Sequence, residues 1–375
     1  MMENKNLKNC SLKEIPFYKV HGRTKSGSYP LPLFFNGSAV EVNVSGTELW
    51  IDLTVNYTAF EPWITCEING ELMSRQMLMP GTYAICLFRN MSPEAVKNVK
   101  VTRELQAMSE DESCSLIVNG FRSDGIFYPV PGKKYAFEFI GDSITSGEGT
   151  YGAREDTDWI PMYMGYSRDY AKLVAEALDA DAYLISQGGW GVLSGWDNNP
   201  HSNIPSCYEK MCGLCRGLEN EKLGAFEPYD FTSRKIDALI VNLGTNDASA
   251  FDQPMWHDPV TGEIFQQRKN EDGTYNPDDL LRFKNAVIDF LKMLRRNNPQ
   301  AHIIWCYGML GYSLSLAIND AVNQYITQTD DFNVIFLQLP NTTDETVGCR
   351  AHPGQKSHAR AAQVLIEYLR DYLGD

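Results

Sequence analysis

Tyr135-Ala-Phe-Glu-Phe-Ile-Gly-Asp-Ser-Ile-Thr-Ser-Gly147 passes from an apolar run to a polar turn within three residues. The run closes on Ile140 and reads as a buried strand. Gly141 gives the backbone freedom for a sharp turn. Asp142 orders that turn through backbone hydrogen bonds. Ser143 is then presented at the C-terminal edge of a sheet, where α/β enzymes carry their reactive groups.

Downstream of this stretch, strands and helices alternate. Ser167–Leu178 has helical periodicity, followed by strands at Ala182–Ser186 and Ile236–Leu243. Asp278–Arg296 predicts a long amphipathic helix that starts at Asn276-Pro277, and His302–Cys306 predicts a strand. A helix at Leu314–Thr327, a strand at Asn333–Leu337 and a closing helix at Lys356–Leu373 complete the pattern. Such alternation predicts a mainly parallel, doubly wound sheet. Two turn-rich segments, Pro200–Arg234 and Phe251–Pro277, interrupt it as long loops, which in a compact domain serve function or movement.

Upstream, the pattern has period two. Val40–Val44, Leu49–Val55, Trp63–Ile68, Thr82–Phe88, Lys97–Thr102 and Ser115–Val118 are short strands separated by Gly, Asn and Pro. Asn69-Gly70 is a favoured hairpin dipeptide. Many short strands at this spacing predict a β-sandwich. Pro129–Lys134 reads as a linker, so the expected division is 1–130 and 131–375.

A chain of 375 residues has room for two domains, and 43% hydrophobic with 22% charged residues is a globular composition. A net charge of −15 argues against nucleic acid or an anionic membrane as partner, because phosphates need clustered Lys and Arg. No stretch approaches ~20 apolar residues. Met1–Lys8 shows no export signal, and nine cysteines read as free thiols, so a cytoplasmic location is expected. Cys207, Cys212 and Cys215 with His201 make a weak zinc pattern, since no second C-x-x-C accompanies the first; no metal is expected.

Four stretches carry chemistry. Gly141-Asp-Ser143, Ser186-Gln-Gly-Gly-Trp-Gly191 and Gly244-Thr-Asn-Asp247 each follow a strand, and His352-Pro353 precedes the last helix. Parallel strands send their ends into one crevice, so the four can meet. A serine hydroxyl needs an adjacent base to attack a carbonyl, and His352 is the candidate. The resulting oxyanion needs fixed donors: the Ser143 and Gly189 N–H groups and the Asn246 side-chain amide. Asp247 reads as a structural hydrogen-bonder.

These blocks resemble the SGNH hydrolase superfamily, also called GDSL esterases, with Ser143, Gly189, Asn246 and His352 in the family's order across roughly 135–375. The resemblance implies a flavodoxin-like three-layer α/β domain, here behind a smaller jelly-roll-like sandwich. That combination, with Gly141–Thr145, Ile185–Gly191 and Val241–Asp247, is similar to the family 2 carbohydrate esterases. It implies a serine esterase that removes O-acetyl groups from acetylxylan- or acetylmannan-type oligosaccharides through an acyl-enzyme, without cofactor. The alternatives are a lipid esterase, lysophospholipase or thioesterase on the same fold, and a non-catalytic carbohydrate-binding protein.

One departure is visible. Most members carry Asp three residues before the catalytic His, whereas Cys349 stands there. A thiol does not stabilise an imidazolium as a carboxylate does. Some family 2 esterases resemble this arrangement and use a Ser–His dyad with a backbone carbonyl on the imidazole. Asp344 or Glu345 is the other candidate for orienting His352. His358 reads as a solvated helix residue, and His201 and His257 as surface residues. Trp190 beside Gly189 is a candidate lining residue for the acyl or sugar pocket; Trp159, Trp196 and Trp256 are loop aromatics near the same edge. Gly147-Glu-Gly-Thr-Tyr-Gly152 matches G-x-G-x-x-G, but no helix opens from it, so close packing of the loop explains the glycines better than a nucleotide.

Overall fold

A computed structural model describes residues 7–25 and 27–374. The reading of Met1–Asn6 as part of a signal-free start lies outside the described residues. The chain forms two compact units: Met1–Lys133 with Ile160–Met162 and Lys210–Tyr229, and Lys134–Trp159 with Tyr163–Glu209 and Asp230–Asp375. Two short segments from beyond residue 133 thus group with the first unit.

The first unit is built of two antiparallel sheets. Leu49–Asn56 shows the cause: its residues alternate between buried and half-buried, so one face enters the core. Val40, Val42, Ile51, Leu53, Ile64, Val99, Val101, Leu116 and Val118 from both sheets form that core. Asn69 and Gly70 both have positive φ, as a tight hairpin turn requires, and return the chain into a strand at Glu71–Met77. Its exposed face carries few of the apolar residues by which strands are recognised, and sequence reading passed over it.

The second unit centres on five parallel strands. They are β1 (Tyr135–Gly141), β2 (Ala180–Ser186), β3 (Ala238–Asn242), β4 (His302–Tyr307) and β5 (Val334–Gln338). Their order is β2-β1-β3-β4-β5, the flavodoxin-like arrangement. The direction of winding reverses beside β1, so β1 and β3 flank the crevice where such sheets place their sites. Five helices matter here: α1 (Tyr170–Ala177), α2 (Thr245–Ala250), α3 (Pro277–Asn297), α4 (Ser315–Thr329) and α5 (Gln355–Leu373). Asn276 caps α3 by accepting the N–H groups of Asp278 and Asp279, with Pro277 in the first turn. α1 starts three residues later than its periodicity predicts, because Asp169 accepts the Lys172 N–H at 2.9 Å and fixes the cap there.

Phe137 and Phe139 of β1, Leu184, Ile240 and Ile304 form one core with Tyr170 and Val174 of α1 and Leu365 and Leu369 of α5. Each such side chain contributes roughly 1.5–3 kcal/mol by burial. On the opposite face, Phe290 of α3 meets Trp305 edge-on. The buried Glu138 carboxylate accepts the Tyr208 hydroxyl at 2.8 Å, which satisfies it between apolar neighbours. The result is helix, sheet, helix, in three layers. Among the described residues, no helix is long and apolar enough to cross a membrane.

His358 departs from its expected solvated position. It is completely buried, and its Nδ1 accepts the Tyr170 N–H at 3.1 Å. That N–H is one of the donors left unpaired at the start of α1, so the ring serves as a cap. Burial pushes its pKa down to about 3, which keeps the ring neutral.

Candidate active site

Ser143 lies two residues beyond β1 on a tight turn. The Asp142 carboxylate accepts the Ile144 N–H at 2.9 Å, the Ser146 N–H bonds to the Asp142 carbonyl, and the Glu148 N–H bonds to the Ser143 carbonyl. A side chain at Gly141 would collide with Thr145 and the Asn242 carbonyl, so only glycine lets β1 turn this closely beside β3. Asp142 is fully buried with one carboxylate oxygen unpaired, and desolvation pushes its pKa up to about 7. It orders the turn.

His352 reaches the same point from the other end of the unit. Its Nε2 stands 3.0 Å from Ser143 Oγ, and its Nδ1 stands 3.0 Å from the Arg350 carbonyl oxygen. That carbonyl only accepts, so Nδ1 carries the proton, and Nε2 is left to accept from the serine hydroxyl. This is the tautomer a general base needs. The backbone is held to this end: the His352 N–H bonds to the Cys349 carbonyl, and the Gly348 N–H to the His352 carbonyl. Arg350 and Ala351 both adopt left-handed conformations, with φ of 53° and 56°. Each costs about 1–2 kcal/mol for a residue with a Cβ. The strain turns the Arg350 carbonyl back onto the imidazole two residues ahead.

Neither Asp344 nor Glu345 occupies the orienting position. Asp344 pairs with Arg154 at 3.0 Å with its side chain 88% exposed, and Glu345 is also exposed. Asp344 and Arg154 line a cavity of about 420 Å³ with Met309, Asn341, Thr342 and Ala351. Cys349 is fully buried, and its thiol is pushed up to about 11 by burial and by the charges of Glu148 and Asp156, so it supplies no anion.

The donors sit at the ends of β2 and β3. Gly189 has φ of +79°, and an added Cβ would stand 3.2 Å from Trp196 Cδ1. The Trp196 N–H donates to the Gly189 carbonyl at 3.0 Å, and its indole is half exposed beside it. Asn246 Nδ2 donates one proton to the Trp190 carbonyl at 2.9 Å, which fixes the amide and leaves its second proton unassigned. Trp190 itself is half-buried. Asp247 accepts the N–H groups of Val192, Leu193 and Ser194 at 2.9, 2.8 and 3.2 Å, and so ties the loop after Gly189 to α2.

His201 pairs with Glu263 at 2.8 Å and meets Trp256 edge-on. Cys212 and Cys215 are buried. Among the described residues, no three His, Cys, Asp or Glu side chains gather as a metal-binding group.

One group was not singled out in the sequence. Glu148 Oε1 accepts Arg350 Nε at 3.1 Å and lies 3.7 Å from His352 Nδ1, with its side chain 5% exposed. Its signal was positional: it stands inside the glycine run that follows Ser143.

The arrangement joins a serine hydroxyl, a correctly protonated imidazole and fixed donors at three strand ends, a set suited to acyl transfer. The sequence pattern of the GDSL-like lipase/acylhydrolase family matches residues 139–360. The structure superposes on that of an acetyl xylan esterase from the rumen bacterium Butyrivibrio proteoclasticus with a TM-score of 0.96 and 52% identity, covering 98% of this chain and 99% of that one. A cellulase/esterase of Acetivibrio thermocellus is 23% identical over 91% of this chain and 37% of its own length. An acetylxylan esterase/glucomannan deacetylase of Cellvibrio japonicus is 25% identical over 62% of this chain and 56% of its own. The chain therefore spans between about a third and about a half of the length of these two relatives. It belongs to the GDSL-like lipase/acylhydrolase family.

Proposed function

We propose that the protein removes O-acetyl groups from xylan- or mannan-type oligosaccharides. The observation that carries the chemistry is the 3.0 Å contact between Ser143 Oγ and His352 Nε2, with Nδ1 held by a carbonyl. The substrate class is supported by the acetyl xylan esterase at 52% identity.

Ser143 Oγ attacks the acetyl carbonyl while His352 Nε2 takes its proton. The tetrahedral oxyanion is met by the N–H groups of Ser143 and Gly189 and by the free proton of Asn246 Nδ2. Collapse expels the sugar hydroxyl, which receives the proton from His352. Water, deprotonated by the same imidazole, then attacks the acetyl-serine and releases acetate. Losing one fixed donor in such a site typically costs about 2.7–4 kcal/mol. The half-exposed Trp196 indole beside Gly189 offers a face on which a sugar ring can stack. Nine free thiols favour action in a reducing compartment, and we place the reaction in the cytoplasm on that ground.

Acetylated xylan and mannan oligosaccharides incubated with the protein should lose acetate, measured by product mass. Aryl esters from acetate to octanoate should show falling rates; rising rates would point to a lipid substrate. Ser143→Ala should lower turnover of aryl acetate by about 10⁴-fold or more. Full activity in that variant would overturn the mechanism.

A further inference from the structure

We infer that Glu148 is a positioning residue for the Ser143–His352 pair and supplies the negative charge that Cys349 does not. This rests on the proposed acyl transfer through Ser143 and His352.

Three observations meet at this carboxylate. Its backbone N–H bonds to the carbonyl of Ser143, so it is tied to the nucleophile's own turn. Its Oε1 accepts Arg350 Nε at 3.1 Å, 202 residues further along the chain. The same oxygen stands 3.7 Å from His352 Nδ1 and is almost wholly shielded from water. Arg350 is thereby gripped at both ends. Its N–H bonds to the Asp156 carbonyl and its Nη1 to the Thr157 carbonyl, while Nε goes to Glu148. The gripped residue is the left-handed one whose carbonyl receives the Nδ1 proton.

Glu148 thus acts twice. It holds the strained turn that aims the imidazole, and it places an anion where positive charge develops as His352 takes the serine proton. Little solvent intervenes to screen that charge. The groups around it are Arg350 and His352 as cations or cations in formation, Asp142 as a second buried carboxyl, and the Cys349 thiol. The charge of Glu148 reaches both Asp142 and Cys349 and raises them. Arg350 offsets part of it, but its side chain is 36% exposed and shared with water, whereas the carboxylate is 5% exposed. The flanking glycines keep this contact short. A Cβ at Gly149 would stand 2.7 Å from His352 Cβ, and one at Gly152 would stand 2.4 Å from Cys349 Cβ.

Glu148→Gln separates charge from shape, because the amide oxygen still accepts from Arg350 Nε. With an aryl acetate, kcat should fall about tenfold or more while KM stays within about twofold, since the charge matters only once the imidazole is protonated. Glu148→Asp keeps the charge one methylene further away and should recover part of that loss. A purely structural carboxylate would be replaced by Gln without loss of kcat. Wild-type kcat in Glu148→Gln, measured on protein with an unchanged thermal transition, overturns the proposal. Should Glu148→Gln not fold, Glu148→Asp decides: kcat reduced severalfold at constant KM supports it, and wild-type kcat overturns it. Ser143→Ala run alongside keeps the two readings apart. If Ser143→Ala is inactive and Glu148→Gln is normal, only the role of Glu148 falls. If Ser143→Ala is active, the acyl-transfer reading falls as well.

Discussion

His352 and His358 stand six residues apart on either side of the start of α5, and they share almost nothing. His352 rides on a left-handed turn with its side chain 19% exposed, and both ring nitrogens face groups that move or fix a proton. His358 is completely buried, lies nearly parallel to the Tyr170 ring, and closes the start of α1. The first is available for chemistry because strain is spent on holding it. The second is inert because burial denies it the charged form. Proximity in sequence and identity of side chain predict neither role; the backbone conformation and the solvent around each ring do.

The comparison is broken most sharply at His352. His352→Ala should lower kcat/KM for an aryl acetate by about 10⁴-fold or more while the thermal midpoint moves little, since the ring is partly exposed and water can take its place at Ser143 Oγ and the Arg350 carbonyl. An equal loss of stability would mean that the two rings are less different than their surroundings.

His358 should show the reverse. The folded chain disfavours protonation of this ring, so the unfolded chain binds the extra proton. Stability is therefore complete above the ordinary histidine pKa of about 6.5 and is lost as pH falls toward the folded value near 3. Between pH 6.5 and pH 5 this group alone costs about 2 kcal/mol. Urea midpoints across that range should drop in the wild type and drop less in His358→Gln, whose turnover per folded molecule stays unchanged. Parallel curves for the two proteins would remove the cause assigned here.

The smallest effect concerns the strained turn itself. Ala351→Gly should relieve the left-handed penalty and raise stability by about 0.5–1 kcal/mol, after the extra freedom of glycine in the unfolded chain is deducted. If turnover falls at the same time, rigidity at Ala351 serves the alignment of His352.

Ser143, Gly189, Asn246 and His352 were legible because each sits at a strand end or helix start, and because their order along the chain follows the winding of the sheet. Glu148 and Arg350 were not. In sequence they are two charged residues among many, and what joins them is a contact across 202 residues. Asp344 and Glu345 were candidates through nearness in sequence alone, and both lie exposed to solvent, Asp344 paired with Arg154. His358 was misread although a signal existed. Ser357, His358, Ala361, Ala362, Leu365, Ile366 and Leu369 form one buried stripe of α5, and a histidine on that stripe enters the core. The front sheets followed from period-two alternation, while the strand Glu71–Met77 escaped because most of its residues face solvent.

The glycines at 149 and 152 bind two distant parts of the sequence to one another. One presses on the β-carbon of His352 and the other on that of Cys349, and Gly348 returns the pressure by leaving room for the Gly149 carbonyl. The loop after the serine is thus a cast of the histidine turn. Anyone grafting either segment into a related scaffold has to move both, because a foreign loop with one extra methyl group would unseat the base while every catalytic residue remained in place.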